Sequence, residues 1–258
     1  MVKVIKKLNM INNLKTAYII RGFHIINQNT SCWRAPNTSI PLCKYYNFIE
    51  QNIDNFIKKI VNNIDTANTD FYFFTYESEI LEQFKNIVMN KIPNCKIFVM
   101  PQNPNFKPID LMLNGLRFIQ STNISYNRYI ISRMDMYYKQ RINKWLPIYT
   151  ENTFHYLFQE VPLPNHNYRI GDNFIIFDTD DFNKVIDIYI KCLQSPNWEQ
   201  NTTFHQLIEF VYPHFSVNKI IKNDKVYDTN TARNDHLGNN PIYILVGRPY
   251  YFNDVYIL

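Results

Sequence analysis

Short apolar runs alternate with amphipathic helical patterns along the first half of the chain, and this alternation restricts the fold more than any other feature. Residues 17–20, 71–74, 97–100 and 129–132 are short runs dominated by aliphatic and aromatic side chains, as expected of strands buried on both faces of a parallel sheet. Between them, Tyr46, Ile49, Ile53, Phe56, Ile60 and Ile64 fall on one face of a helix. Ile80, Phe84, Ile87 and Val88 make a second such face, and Ile109, Met112, Leu116 and Ile119 a third. Strand–helix–strand repetition implies right-handed crossovers and a mainly parallel central sheet flanked by helices, an α/β fold. Past residue 135 the rhythm changes: 153–157, 173–177 and 242–246 read as strands, and 182–193 and 203–211 as helices. Neither an internal repeat nor a low-complexity linker divides the 258 residues, so they read as one domain.

Composition excludes several classes. Hydrophobic residues make up 46% and aromatic residues 16%, enough for a sizeable core, whereas charged residues reach only 19%. No run approaches the ~20 apolar residues of a membrane span. Lys3, Lys6 and Lys7 are followed by Asn9, Asn12, Asn13 and Lys15 instead of an apolar stretch, so no export signal is read and a cytoplasmic location is expected. The sequons at Asn29, Asn37, Asn123 and Asn201 carry little weight in so Asn-rich a chain. Cys32, Cys43, Cys95 and Cys192 show neither C-x-x-C nor zinc spacing and read as reduced thiols. A net charge of +5 favours anionic partners. The basic residues are scattered, however, and no nucleic-acid motif occurs, so a nucleic-acid-binding protein ranks well behind the other readings.

With only five glycines and no G-x-G-x-x-G or G-x-x-x-x-G-K-[ST], the chain lacks a backbone cradle for phosphates. Any diphosphate must then be neutralised by cationic side chains or a carboxylate-held divalent metal. Asn114-Gly115-Leu116 lies in the third helical pattern and is followed by Tyr129-Ile130-Ile131-Ser132-Arg133-Met134-Asp135, which brings a cation and a carboxylate to a strand end. A helix carrying Gly-Leu ahead of a strand ending in Arg-x-Asp resembles the WavE-like and related polysaccharide-synthesis glycosyltransferases. Ile19-Ile20-Arg21-Gly22, Phe73-Phe74-Thr75-Tyr76 and Ile170-Gly171-Asp172-Asn173-Phe174 extend the match, which covers roughly residues 16–210. The resemblance implies a single GT-A-like domain, with a nucleotide-binding half over about 16–135 and an acceptor half over about 136–258. It implies hexosyl or deoxyhexosyl transfer from a nucleotide-sugar donor to a glycan or lipid-linked acceptor in polysaccharide biosynthesis. A catalytically inactive sugar-nucleotide-binding protein is the alternative.

The site residues follow from strand ends and motif together. Asp135 ends an apolar strand, where open α/β sheets collect ligands, and is expected at the donor diphosphate, directly or through Mn²⁺ or Mg²⁺. Arg133 replaces the first carboxylate of the usual Asp-x-Asp, so it either contacts phosphate itself or pairs with a neighbouring carboxylate. Arg21 reads as a contact to the nucleotide or diphosphate, with Gly22 beside it, or as a solvated strand-end arginine; Thr75 and Tyr76 frame the base, Tyr76 by stacking, or are ordinary strand-end packing. His236, in a late loop, would complete a metal shell. Asp172 either serves as the base that deprotonates an acceptor hydroxyl or forms a turn. The literal Asp178-Thr179-Asp180 precedes a helical face and is set aside as a helix start. His205 and Glu209 lie at i and i+4, which suits an acceptor contact or a solvated helix edge. Trp33, Trp145 and Trp198 are sugar platforms or ordinary packing.

Overall fold

The computed structural model describes residues 14–22, 42–78, 80–92, 94–101, 108–134, 136–146, 154–156, 159–160, 169–170, 174–194, 220–222 and 243–245. The four expected strands are β1 (Thr16–Arg21), β2 (Thr69–Tyr76), β3 (Lys96–Met100) and β4 (Arg128–Arg133). All four are dominated by β-branched and aromatic side chains, which fit a pleated surface. The helices between them are α1 (Leu42–Lys59), α2 (Leu81–Lys91) and α3 (Pro108–Ser121). Beyond β4 come β5 (Met136–Tyr138), β6 (Phe154–Tyr156), β7 (Gln159–Glu160), β8 (Arg169–Ile170) and β9 (Phe174–Asp178). Then follow α4 (Phe182–Gln194), β10 (Ile220–Lys222) and β11 (Tyr243–Leu245). The helix expected over 203–211 lies outside the described residues.

One seven-stranded sheet has the order β10-β6-β9-β4-β1-β2-β3. β4, β1, β2 and β3 are mutually parallel, and β9 runs antiparallel to both β4 and β6. Because β10 is parallel to β6, β9 is the one reversed strand of this sheet. Two small antiparallel pairs, β5 with β11 and β7 with β8, lie apart from the main sheet.

Alternation along the strands divides the core in two. Ala17, Ile19, Tyr72, Phe74, Ile131 and Phe177 pack beneath α3 and α4 with Met112, Leu116, Val185 and Tyr189. Tyr18, Ile20, Phe71, Phe73, Ile130 and Ile176 pack beneath α1 and α2 with Ile53, Phe56, Ile60, Phe84 and Val88. Helices therefore cover both faces. From β1 the chain steps through α1 to β2 and through α2 to β3, then returns through α3 on the opposite face to β4, on the other side of β1. Right-handed crossovers require that change of face when the direction of winding reverses. The reversal falls between β1 and β4, and open α/β sheets bind their ligands outside the carboxyl ends of the two strands at such a switch point.

Candidate functional site at the carboxyl ends of the strands

Arg21 and Arg133 are the last residues of β1 and β4, and they are register partners across the switch point. Each falls two residues beyond a side chain that faces α3 and α4, Ile19 and Ile131. The pleat therefore puts both arginines on that same face. Arg21 is 5% exposed, and Arg133 is half-buried. Tyr76, at the end of β2, shares the face and belongs to the α3–α4 core. Burial raises its hydroxyl pKa well above the usual value, with the Arg21 guanidinium opposing the rise and the Asp110 carboxylate adding to it. Asp110 lies in the first turn of α3, where the positive end of the helix dipole favours a carboxylate. A guanidinium, a phenol and a carboxylate thus act on one another at one corner of the sheet, with Arg133 beside Arg21 on the same face.

The backbone around them is closely stitched. Met134 N donates to Arg21 O at 2.7 Å, and Gly22 N donates to Phe74 O at 3.1 Å. Gly22 has φ of +132°, a conformation open to glycine and strained for other residues. It lets the chain leave β1 beside Met134, whose Cβ lies 3.7 Å from where a Gly22 Cβ would stand. On the α1 side, the side chains of Asn52, Asn55 and Lys59 bond backbone groups of residues 134, 138 and 139.

The structure brings Arg21, Gly22, Tyr76 and Arg133 together and corrects two expectations. Thr75 is fully buried, and the pleat turns its side chain to the α1–α2 face, away from Tyr76. Successive residues of a strand cannot line the same side of a cleft, so Thr75 does not frame a base with Tyr76. The ring of Tyr76 is itself a core side chain with 5% exposure, so its hydroxyl edge, not a stacking face, is turned to the polar corner. Asp135, Asp172 and His236 lie outside the described residues, as do Trp33, Trp198, His205 and Glu209. Trp145 stacks on Tyr138, with ring centroids 6.0 Å apart and planes 10° apart, and meets Phe174 edge-on at 4.9 Å. Both contacts are packing against the core. Asp178 pairs in register with Arg128, the first residue of β4, and Asp181 binds Lys184 at 2.7 Å. Asp178-Thr179-Asp180 therefore sits at the far end of the sheet from the arginines.

Among the described residues no group of three His, Cys, Asp or Glu side chains is placed to hold a metal. The cationic groups of the described part of the site suit an anion directly. Sequence reasoning overlooked several participants. Asp110 could have been found as an acidic residue just inside a Pro-initiated helix. Asn52 and Asn55 could have been found as amides beside Ile53 and Phe56, since asparagine is a poor helix-interior residue with a strong tendency to bond backbone groups.

No family model matches the sequence, and no curated protein matches it. Similarity appears at the level of structure. The crystal structure of a glycosyltransferase involved in the glycosylation of the major capsid of PBCV-1 is similar with a TM-score of 0.50 and 10% identity, over 90% of this chain and 92% of that one. The nucleoside-diphosphate-sugar pyrophosphorylase from Vibrio cholerae RC9 is similar with a TM-score of 0.53 and 11% identity, over 93% of this chain and 98% of that one. At these identities the likeness is one of fold, and the fold is GT-A-like: a mainly parallel sheet between two helical layers. None of the helices among the described residues is long and apolar enough to cross a membrane.

Proposed function

We propose that this chain is a nucleotide-sugar-dependent glycosyltransferase, of the WavE-like kind that its Arg-x-Asp segment resembles. The observation that carries the reading is the pairing of Arg21 with Arg133 across the switch point of a GT-A-like sheet. Two cationic side chains on one face at the carboxyl end of the sheet suit a nucleoside diphosphate. Two guanidiniums would hold it in the ground state and stabilise the charge that develops as the sugar–phosphate bond breaks. In this reading Asp135 adjoins the diphosphate, either directly or with His236 through Mn²⁺ or Mg²⁺. Asp172 takes the proton from the acceptor hydroxyl of a glycan or lipid-linked substrate, and the anomeric configuration inverts.

A sugar-nucleotide pyrophosphorylase activity is the second reading, raised by the similarity to the enzyme from Vibrio cholerae RC9. The scarcity of glycine and the lack of a glycine-rich phosphate loop in the sequence argue against it. The test is a thermal-shift screen of UDP-, GDP- and dTDP-sugars with and without Mn²⁺. A donor bound by the folded state raises the melting temperature by mass action. Release of free nucleoside diphosphate on adding an acceptor marks a transferase, and release of a nucleoside triphosphate on adding pyrophosphate marks a pyrophosphorylase. A chain that responds to no nucleotide sugar is neither. The Mn²⁺ arm decides whether the cation or the arginines carry the neutralisation.

A further inference from the structure

The polar stripe on the buried side of α1 is not needed to bury the helix. Ile53, Phe56 and Ile60 already hold α1 against the sheet. Beside them Asn52, Asn55 and Lys59, at i, i+3 and i+7, address one short stretch of chain. Asn52 Nδ2 donates to Met134 O in a very short bond. Asn55 accepts from Tyr138 N at 2.7 Å and donates to Tyr138 O at 2.9 Å. Lys59 Nζ donates to Lys139 O at 2.8 Å. A carboxamide offers donor and acceptor in the spacing of a peptide group, so Asn55 acts toward Tyr138 as a neighbouring strand would, while β11 pairs with β5 in the main chain. Met134, which follows Arg133, is thus bound from two directions, by Asn52 through its carbonyl and by Arg21 O through its N–H.

We propose that Asn52, Asn55 and Lys59 are positioning residues for the donor site, holding Met134 and the end of β5 so that Arg133 stays beside Arg21 in the geometry that accepts a diphosphate. The proposal rests on the reading of this corner as a nucleotide site. Displacing Met134 and β5 would leave the main sheet intact and move one arginine relative to the other, and pre-set geometry of this kind is what anion recognition by a pair of guanidiniums requires.

The test measures binding of UDP, GDP and dTDP to the full chain by titration calorimetry in Mn²⁺-containing buffer, with the melting temperature of each variant recorded alongside. Asn52→Ala, Asn55→Ala and Lys59→Met are each expected to weaken the nucleotide that the wild type binds by about tenfold or more. Lys59→Arg should restore affinity, since a guanidinium can also donate to Lys139 O. Lys58→Ala, on the exposed side of α1, should change nothing. If Asn55→Ala fails to fold, Asn52→Ala and Lys59→Met decide the question. Variants that melt earlier yet keep wild-type affinity would make the stripe structural and overturn this inference alone. A wild type that binds none of the three nucleotides would overturn the functional reading and this inference with it.

Discussion

Arg21 and Arg133 illustrate how position alters the meaning of a residue. Each is an ordinary strand-end arginine in the sequence, but side by side on one face they form a cationic pair suited to an anion. Charge-assisted hydrogen bonds contribute about 1.5–3 kcal/mol each. Arg133→Ala and Arg21→Ala are therefore each expected to weaken nucleoside-diphosphate binding by roughly 10- to 150-fold. Titration calorimetry checks this. Arg21→Ala should also lower stability, because Arg21 is buried and Arg133 only half so. Asp172 calls for a different signature. General-base catalysis contributes about 10²–10⁴ in rate, so Asp172→Asn should lower kcat on that scale and leave donor affinity near the wild-type value. Steady-state kinetics over a range of donor concentrations separates the two, and lost affinity with unchanged kcat would make Asp172 a donor-binding residue instead. Asp135→Asn should remove transfer and any Mn²⁺-dependent stabilisation by nucleotide while the melting temperature of the free protein holds.

Among the elements, α3 shows why a glycine stands in mid-helix. A Cβ on Gly115 would stand 2.3 Å from two ring atoms of Phe74 on β2. Gly costs about 1 kcal/mol relative to Ala in a helix interior, and here that cost permits close approach of helix to sheet. Gly115→Ala would recover the propensity but overpack the ring, with a net destabilisation of about 1–3 kcal/mol. Urea denaturation should show a lower midpoint at unchanged slope. Phe74→Leu introduced into the Gly115→Ala variant should recover part of the loss, whereas alone it should destabilise by leaving a void. The Gly-Leu pair that carries part of the family resemblance thus has a packing reason in this chain. The polar stripe of α1 has a comparable role at the other face, where a side-chain amide replaces a missing strand.

For the molecule as a whole, the winding reversal between β1 and β4 selects the corner where chemistry can occur, and a titration near the other side of the sheet reports on its integrity. His155 lies on β6, next to reversed β9, and is 3% exposed. Burial lowers its pKa from 6.5 to about 4. The unfolded chain therefore binds more protons than the folded one between about pH 6.5 and pH 4, and stability falls as pH drops through that window. The loss approaches roughly 3 kcal/mol at the lower limit. Denaturation midpoints measured between about pH 4 and pH 8 should trace this slope, and His155→Phe should flatten it. A wild type equally stable at both ends of that range would mean that His155 titrates normally.

Strand and helix positions were legible because their causes are local. β1 to β4 and α1 to α4 coincide with the expected segments to within a few residues, since period-two and period-3.6 burial are written in neighbouring side chains. The opposite faces of Thr75 and Tyr76 followed from the same period, and assigning both to one base overlooked it. The Arg133 strand end was also visible, as a polar residue closing an apolar run. Tertiary structure alone decided that β4 lies against β1 and not beyond β3, so that Arg21 meets Arg133, far along the chain. It also decided that Asp110 and Tyr76 share that corner, and that Asn52 and Asn55 bond Met134 and Tyr138, 82 and 83 residues away. Such choices depend on which faces bury one another and in which direction the chain winds, quantities summed over the whole core and carried by no single segment.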